Sequence, residues 1–291
     1  MQRTEAYKVA GHVFSLEMDG EDGAWSCLGN YAPFRCDSSQ ETVFKVKVVS
    51  DFPTAGRKPF YITDPGTPEQ RIDIYTLDDG YLFEMAPFGS APVCGALKVN
   101  ADFSLGLLKA YSETEYCINN ALMLLYAFRT AGLGTVEIHA SVTVKDGRGF
   151  LFLGKSGTGK STHSRLWLKN VPGSRLLNDD NPVVRLVDGI PRVFGTPWSG
   201  KTRCYINEDY PVGAFVRINR APHNAIRRMG IAESFASLYS SSSGLRAIKE
   251  IADGLFETVS AVVQAVPGYL LDCLPDDGAA LVCSTEVLGN E

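Results

Sequence analysis

The sequence predicts an α/β protein in two parts, a mostly β domain over residues 1–112 and a second domain over residues 113–291. Short apolar runs alternate with turn-forming clusters up to about Ala110, which is typical of strands. A helical apolar pattern follows at 114–129, and a strand, a glycine-rich loop and a helix follow one another at 150–167. With 45% apolar and 21% charged residues, the composition is that of a folded globular protein.

The first domain is predicted from the runs HVFSLEM, TVFKVKVV, RIDIYTL and YLFEMAP, which are separated by clusters such as DGEDG and TDPGTP. Such alternation predicts an antiparallel β region. Apolar residues from Thr114 to Arg129 then recur at helical spacing, and Gly132 follows as a stop signal. The predicted helix leads into the second domain.

The second domain is predicted to begin with two strands in VEIHASVTVKDGRGFLFL, joined by a tight DGRG turn, with His139 on the first strand. KSTHSRLWLKN predicts a helix that ends before Pro172, SRLLNDD a strand, and VVRLVDGIPRVFG a hairpin. The tail predicts helices near 230–240 and 245–265, a strand in GYLLDCL and a last helix from about Asp276.

Charge and cysteine content exclude some classes of function. The chain has 28 Lys and Arg against 33 Asp and Glu, a net charge of -5, whereas general nucleic-acid or anionic-membrane binders need a basic excess. Apolar runs of signal-peptide or membrane-span length are missing from the sequence. Seven cysteines without CxxC spacing suit a reducing compartment. We therefore expect a cytoplasmic protein with no nucleic-acid or membrane partner.

The segment GKSGTGKS, residues 154–161, satisfies the pattern G-x-x-x-x-G-K-[ST] and is called the glycine loop below. In such a loop, glycines let backbone N–H groups surround phosphate oxygens, Lys160 reaches the β and γ phosphates, and the Ser161 hydroxyl binds Mg²⁺. The alternative is a strand-to-helix turn without a ligand, but the flanking strand and helix favour a phosphate site for ATP and Mg²⁺. The predicted nucleotide contacts are Gly154, Ser156, Gly157, Thr158, Gly159, Lys160, Ser161 and Thr162.

Two acids, Asp179 and Asp180, end the next predicted strand and are called the acid pair. Paired carboxylates beside a triphosphate can hold Mg²⁺ and accept a proton from an attacking hydroxyl. The ordinary alternative is a surface turn, since NDDNP also has turn composition. His139 alone is compatible with either a packed residue or a functional one.

Taken together, His139, Gly149, the glycine loop and the strand LLNDD resemble the catalytic domain of HPr kinase/phosphorylase and its relatives. That group shares its core with phosphoenolpyruvate carboxykinases. The resemblance covers about residues 134–185 and implies an HPr kinase C-terminal, carboxykinase-like P-loop core. The segment VFGTPWSGKTRCYIN stands where that family has a glycine-rich signature linked to HPr recognition, so the resemblance is to relatives that phosphorylate another hydroxyl.

The resemblance also implies residue roles. Asp179 would act as the base toward the acceptor hydroxyl, Asp180 and Ser161 would bind Mg²⁺, Lys160 would bind the phosphates, and His139 would lie beside the reacting phosphate. It further implies a homo-oligomer. The expected reaction is transfer of the ATP γ-phosphoryl group to a serine-like hydroxyl on a peptide, protein or small molecule.

Other functions remain open from the sequence. One is a nucleotide-binding regulator with little or no transferase activity, and another is a structural protein whose loop binds nothing. Pyrophosphate is an alternative phosphoryl donor, and the acceptor is unidentified.

Two basic segments also have two interpretations each. In GTPWSGKTR, Lys201 and Arg203 either close over the phosphates or are solvated on a loop that Pro197 and Trp198 anchor. The basic stretch NRAPHNAIRRMG, with Arg217 just before it, either holds an acidic substrate or the adenine end of ATP, or is a solvated helix face.

Overall fold

The computed structural model of the protein describes residues 2–20, 25–200 and 202–289. It is a mixed α/β structure with large sheets and a few helices, and it divides into two compact units, residues 1–129 and 130–291. The helix predicted at Thr114 therefore lies with the first unit and not, as the sequence predicts, with the second domain. Within the described residues, no helix is both long and apolar enough to cross a membrane.

The first unit has one mixed sheet, in the order β3-β1-β2-β4-β9-β8-β7-β6-β5, and a helix α1, Thr114–Thr130. The predicted antiparallel pairing holds for most neighbouring strands, but not for β4, which pairs in parallel with both β2 and β9. The chain reaches these parallel neighbours through long connections, one of which carries a 3-10 helix, Ser26–Phe34. The strands are β1 Gln2–Val9, β2 His12–Asp19, β3 Arg35–Cys36, β4 Phe44–Val48, β5 Lys58–Tyr61, β6 Arg71–Leu77, β7 Gly80–Ala86, β8 Gly95–Asn100 and β9 Leu105–Ala110.

Aromatic side chains join the helix to the sheet in this unit. Phe14 and Phe44, on neighbouring strands, stack with ring centroids 5.0 Å apart. Tyr126 of α1 meets Phe14 edge-on at 5.9 Å, and Phe128 contacts Phe83 at 5.8 Å. The predicted helical periodicity therefore reflects a helix whose apolar side lies on the sheet.

The second unit has a sheet in the order β10-β14-β15-β16-β12-β11-β13, with β18 beside β16 and β17 beside β18. Its strands are β10 Thr135–Glu137, β11 Ala140–Lys145, β12 Arg148–Leu153, β13 Arg175–Asn178, β14 Val183–Val187, β15 Ile190–Phe194, β16 Asp209–Arg220, β17 Ala225–Arg228 and β18 Gly268–Cys273. Its helices are α2 Lys160–Asn170, α3 Ile231–Ser241, α4 Lys249–Ala265 and α5 Asp277–Gly289, besides a 3-10 turn at Ala131–Leu133.

Most local predictions for this unit are confirmed. Helix α2 and the strands β12, β13 and β18 fall where the sequence placed them. Both predicted hairpin turns have two residues with positive φ, Asp146 and Gly147 in one and Asp188 and Gly189 in the other. That backbone twist suits two-residue hairpins and is why Asp-Gly occurs there.

The longest strand, β16, was not predicted. Its first half contains Pro211 and Gly213, which favour a loop when the sequence alone is considered. In the structure, Pro211 lies opposite Arg192 of β15, and Gly213 passes the ring of Phe150 so closely that a Cβ there would lie 2.8 Å from the ring. Glycine therefore serves the packing of β12 against β16 rather than a turn.

A core forms between α2, α5 and one face of the sheet. Trp167 of α2 is fully buried and contacts the rings of Phe150 and Phe152 at 5.3 and 5.2 Å. Residues of β16, β18 and α5 complete this cluster, among them Val216, Leu271 and Cys283. The contact fixes α2, and with it the glycine loop, on the end of β12.

Trp167→Ala is expected to lower the free energy of unfolding of the second unit by about 3–5 kcal/mol, because it removes a large buried ring and leaves a cavity. Urea unfolding followed by circular dichroism measures this loss. The exposed neighbour Leu168→Ala is the control and should change stability by less than about 1 kcal/mol. Equal losses in the two variants would contradict the assignment of Trp167 as the centre of this core.

Candidate active site

The predicted site residues lie at one edge of the second sheet, and the strand directions explain why. β12, β16 and β18 are parallel neighbours, so the glycine loop that follows β12 lies at the same edge as the end of β18. β11 is antiparallel to both β12 and β13, so the start of β11 and the end of β13 reach this edge too. His139 precedes β11, and the acid pair follows β13. The topology thus assembles segments that are distant in sequence.

The glycine loop runs from the buried end of β12 into the first turn of α2. Gly157 and Gly159 have φ of 72° and 116°, a region that favours glycine. Between them the N–H and hydroxyl of Thr158 both donate to the carbonyl of Lys155, at 3.1 and 2.7 Å. The exposed top of the loop is formed by Lys155, Ser156 and Gly157.

Helix α2 begins without a side-chain cap at Gly159, whose carbonyl accepts the N–H of His163 at 2.9 Å. Helix geometry gives the N–H groups of Ser161 and Thr162 no acceptor within the helix. Together with the helix dipole, such N–H groups favour an anion. The predicted phosphate contacts therefore lie at the N-terminus of α2, whose N–H groups favour an anion such as phosphate.

Lys160 is nearly buried, with 8% of its surface exposed, and it turns back toward the start of the loop. Its Nζ donates to the carbonyl of Gly154 at 3.3 Å and lies 2.9 Å from Nε2 of His139. Because an ammonium group can only donate, Nε2 accepts in this contact. The ammonium is thus held over the loop by two acceptors.

His139 does not lie on a strand, and that prediction was wrong. The predicted first strand is interrupted at Ile138 and His139, because β10 pairs with β14 whereas β11 pairs with β12 and β13. The backbone N–H of His139 donates to the carbonyl of Ser241 at 2.8 Å. The interruption places Nε2 of His139 3.4 Å from Oδ1 of Asp180 as well as beside Lys160.

The two members of the acid pair have different surroundings. Asp179 is 6% exposed, and each of its carboxylate oxygens accepts a hydroxyl: Oδ1 from Ser141 at 2.7 Å and Oδ2 from Thr202 at 2.5 Å. Ser141 is also 2.6 Å from Ser164, which must donate to it because the one Ser141 hydrogen is already used. This chain of hydroxyls fixes Asp179 between α2 and the loop after β15.

Asp180 is half-exposed and faces the lysine–histidine contact. Its Oδ2 accepts from the side-chain amide of Asn181 at 3.0 Å, and its Oδ1 lies toward His139. Its backbone N–H donates to the side chain of Asn178 at 2.9 Å. The pair therefore offers one buried carboxylate bound by hydroxyls and one more accessible carboxylate beside His139.

Glu137, two residues before His139, was not singled out from the sequence. It is 1% exposed, Oε1 accepts from the hydroxyl of Ser243 at 3.2 Å, and Oε2 has no hydrogen-bond partner among the described residues. Burial raises the pKa of this carboxyl to about 8, the Ser243 hydroxyl opposes that rise, and the nearby charge of Asp180 adds to it. A carboxyl that stays protonated at neutral pH thus lies behind the site.

This pKa predicts that Glu137 makes the protein less stable as the pH rises. Between about pH 4.5 and 8 the folded state keeps a proton on Glu137 that the unfolded state has lost. The contribution of Glu137 to the free energy of unfolding therefore falls by about 1.4 kcal/mol for each pH unit. Glu137→Gln removes this dependence. The free energies of unfolding of both proteins are measured at pH 5 and at pH 8 with a chelator present. Relative to the variant, the wild type should be less stable at pH 8 than at pH 5. Parallel pH profiles would contradict a raised pKa.

The segment around GTPWSGKTR is anchored against the acid pair. Trp198 and Thr196 are buried, the carbonyl of Trp198 accepts the backbone N–H of Asn181 at 3.3 Å, and Thr202 donates to Asp179. Lys201 lies outside the described residues, and Arg203 is exposed. The anchoring role of Trp198 is thereby confirmed, and the contact of Thr202 with Asp179 is one that sequence spacing could not indicate.

The basic stretch after Arg217 forms the end of β16, a turn and β17, so the interpretation as a helix face was wrong. The guanidinium of Arg220 donates to the carbonyls of Gly157 and Thr158 in the glycine loop. Arg217 donates to the hydroxyl of Ser241 at 3.1 Å. The carbonyl of Thr158 and the N–H of Gly159 belong to one peptide unit, in which they point in opposite directions. By holding this carbonyl, Arg220 also helps to orient the N–H of Gly159.

Comparison with known proteins adds a distant likeness. No family model and no curated protein matches the sequence. Among solved structures, the chain is similar to the Hpr(Ser) kinase/phosphatase from Coxiella burnetii, with 14% identity over 53% of this chain and 88% of that chain and a TM-score of 0.33. At this identity and score the likeness does not indicate an activity, which has to be inferred from the residues themselves.

Proposed function

We propose that the protein is an ATP- and Mg²⁺-dependent kinase that transfers the γ-phosphoryl group to a serine-like hydroxyl on a peptide, protein or small molecule. The observation that carries this proposal is the meeting of Lys160, His139 and Asp180 above the glycine loop, with Nζ and Oδ1 at 2.9 and 3.4 Å from the same imidazole nitrogen. A turn without a ligand needs neither a buried lysine on a histidine nor a carboxylate beside that histidine.

The phosphates are proposed to lie along the glycine loop and the start of α2. The N–H groups of Ser161 and Thr162 and the ammonium of Lys160 supply donors on one side of the ligand. On binding, Lys160 exchanges the carbonyl of Gly154 for phosphate oxygens, and His139 remains beside the reacting phosphate. Preorganised positive charge of this kind stabilises the charge that develops on the transferred group.

The residues present fit Mg²⁺ bound together with a nucleotide. The described residues contain no group of three or more His, Cys, Asp or Glu side chains able to hold a metal ion alone. Magnesium in phosphoryl-transfer sites needs only one or two protein ligands besides phosphates and water. Asp180, with its accessible carboxylate, and the half-buried Ser161 are the proposed ligands. Bound there, the ion supplies charge neutralisation for the phosphates.

Asp179 is proposed as the base toward the acceptor. Thr202 already donates a hydroxyl hydrogen to Oδ2, so this oxygen is placed to accept from an alcohol. Ser141 holds the other oxygen and keeps the carboxylate in one orientation. When the acceptor oxygen bonds to the γ-phosphorus, its proton passes to Oδ2. The bond from the γ-phosphorus to the β–γ bridging oxygen breaks, and ADP leaves with that oxygen and the electron pair.

A second function, nucleotide binding without transfer, is favoured by one observation. Both oxygens of Asp179 are engaged by hydroxyls and the residue is 6% exposed. If Thr202 keeps its place when nucleotide binds, no acceptor hydroxyl reaches Oδ2. The protein would then act as a nucleotide-dependent regulator.

Labelled phosphate separates the two functions. The protein is incubated with Mg²⁺ and ATP labelled at the γ position in the presence of a small-molecule and protein extract. Label on a discrete extract component supports the kinase and identifies its acceptor. Nucleotide binding with label only on ATP, or released as free phosphate, contradicts the kinase and supports the regulator.

A further inference from the structure

A cleft of about 330 Å³ opens next to the glycine loop, where the parallel strands β12, β16 and β18 end. We call it the strand-end cleft. One wall is formed by Thr158, Gly159 and Thr162, so the cleft begins where the proposed phosphate contacts lie. The ends of parallel strands are a common place for ligands in open α/β sheets, and the volume is at the lower end of the range of about 300–1,000 Å³ for small-molecule sites.

The other walls of the strand-end cleft are mostly apolar. Leu166 projects from α2, Ile218 comes from β16, and Leu274 and Pro275 follow β18. Ile218 belongs to the core cluster that fixes α2 on the sheet, and Leu166 packs against that cluster. A ligand that fills the cleft must therefore present an uncharged, largely apolar body next to its phosphates.

Besides the two threonines, a histidine and an arginine line the same cleft. Arg220 lies at the loop side, where its guanidinium binds the carbonyls of Gly157 and Thr158. His163 is 2% exposed, and its Nε2 has no hydrogen-bond partner among the described residues. Burial lowers the pKa of His163 to about 4, so its imidazole is neutral at neutral pH. The wall away from Arg220 thus carries no charge but offers one unsatisfied polar atom.

We infer that the strand-end cleft binds the nucleoside of the phosphoryl donor, so that the donor is a nucleoside triphosphate and not pyrophosphate. The inference rests on the proposed phosphate-binding role of the glycine loop. An uncharged base matches the mostly apolar lining, and ribose links it to phosphates at Thr158 and Thr162. Pyrophosphate carries no apolar part and would leave the cleft unfilled.

Filling the cleft tests this inference. Ala221 lines it and is half-buried, so Ala221→Leu inserts apolar volume without adding charge or an aromatic ring. We expect this variant to bind a non-hydrolysable ATP analogue with Mg²⁺ at least tenfold more weakly and to bind magnesium pyrophosphate within twofold of the wild type. Ala232→Leu makes the same change at an exposed position of α3 outside the cleft and should affect neither ligand.

A second variant guards against misfolding. Leu274 is 39% exposed, and Leu274→Ser removes an apolar wall at little cost to the core. It should weaken the ATP analogue several-fold and spare pyrophosphate, whereas Leu281→Ser, at an exposed position of α5, should change neither affinity.

The outcomes distinguish the nucleoside site from the phosphate site. If the wild type binds both ligands equally well, or if Ala221→Leu and Leu274→Ser leave the ATP analogue unaffected, the nucleoside lies elsewhere and the inference is overturned while the phosphate site stands. If the wild type binds neither ligand, the proposed function fails and the inference fails with it.

Discussion

Asp179→Asn is expected to lower the rate of phosphoryl transfer at least about a hundredfold and to leave the affinity for Mg²⁺ and ATP within a few-fold of the wild type. General base catalysis commonly contributes about 10²–10⁴ in rate, and the amide cannot take up the acceptor proton at Oδ2. Because the carboxylate lies among the hydroxyls of Ser141 and Thr202, a residue of the same size keeps the packing. Label incorporation and calorimetric titration measure the two quantities separately.

Two further variants make this test specific. Asp188→Asn changes an acid in a hairpin turn outside the site and should leave the rate unchanged. Asp180→Asn should instead raise the Mg²⁺ concentration required for half-maximal activity, because Asp180 is the proposed metal ligand. Transfer by Asp179→Asn within about threefold of the wild type would show that Asp179 only positions its neighbours.

Lys160→Ala is expected to weaken ATP binding and to lower the transfer rate by about a hundredfold to a thousandfold, which is the usual loss when one preorganised donor to a developing charge is removed. Lys160 is nearly buried and its Nζ lies among the acceptors of Gly154 and His139, so the surroundings hold the ammonium in place. Rapid-quench measurement of label transfer at saturating ATP, together with titration, separates binding from rate.

Lys155→Ala is the matched control, since Lys155 is an exposed lysine of the same loop. Its effect on either quantity should stay below about threefold. A comparison of thermal midpoints shows whether Lys160→Ala is folded. If both lysine variants bind and transfer as the wild type does, the buried lysine has no part in phosphate binding.

Elements with local signals were predictable from the sequence. Helix α2 follows glycine and ends before Pro172, and the hairpin from Val183 to Phe194 turns on Asp188 and Gly189. Such signals depend on neighbours within a few residues. The glycine loop was found in the same way, because its pattern is contiguous.

Features that depend on long-range contacts were missed. The interruption at His139 follows from hydrogen bonds between Ile138 and Pro182 and between His139 and Ser241, which no local pattern encodes. The contact of Arg220 with the loop joins residues more than 60 positions apart. β16 was missed because Pro211 and Gly213 favour a loop locally and become strand residues only beside β15 and Phe150.

For the acid pair, the position was predictable from local sequence, whereas the surroundings of each member depend on long-range contacts. The sequence predicted that Asp179 and Asp180 end a strand near the loop, and the strand directions place them at the shared edge. The burial of Asp179 and the two hydroxyls that it accepts depend on Ser141 and Thr202 from other segments. Chemical roles therefore had to wait for the three-dimensional arrangement.

The most direct test of the central claim, that the glycine loop binds nucleotide phosphates, is unfolding of the wild type with and without ATP and Mg²⁺. At about 100 times the dissociation constant, a bound ligand adds about 2.7 kcal/mol to the free energy of unfolding. We expect this stabilisation for the wild type and its loss in Lys160→Ala. Unchanged unfolding of the wild type at millimolar ATP and Mg²⁺ would contradict it and leave GKSGTGKS as a turn between a strand and a helix.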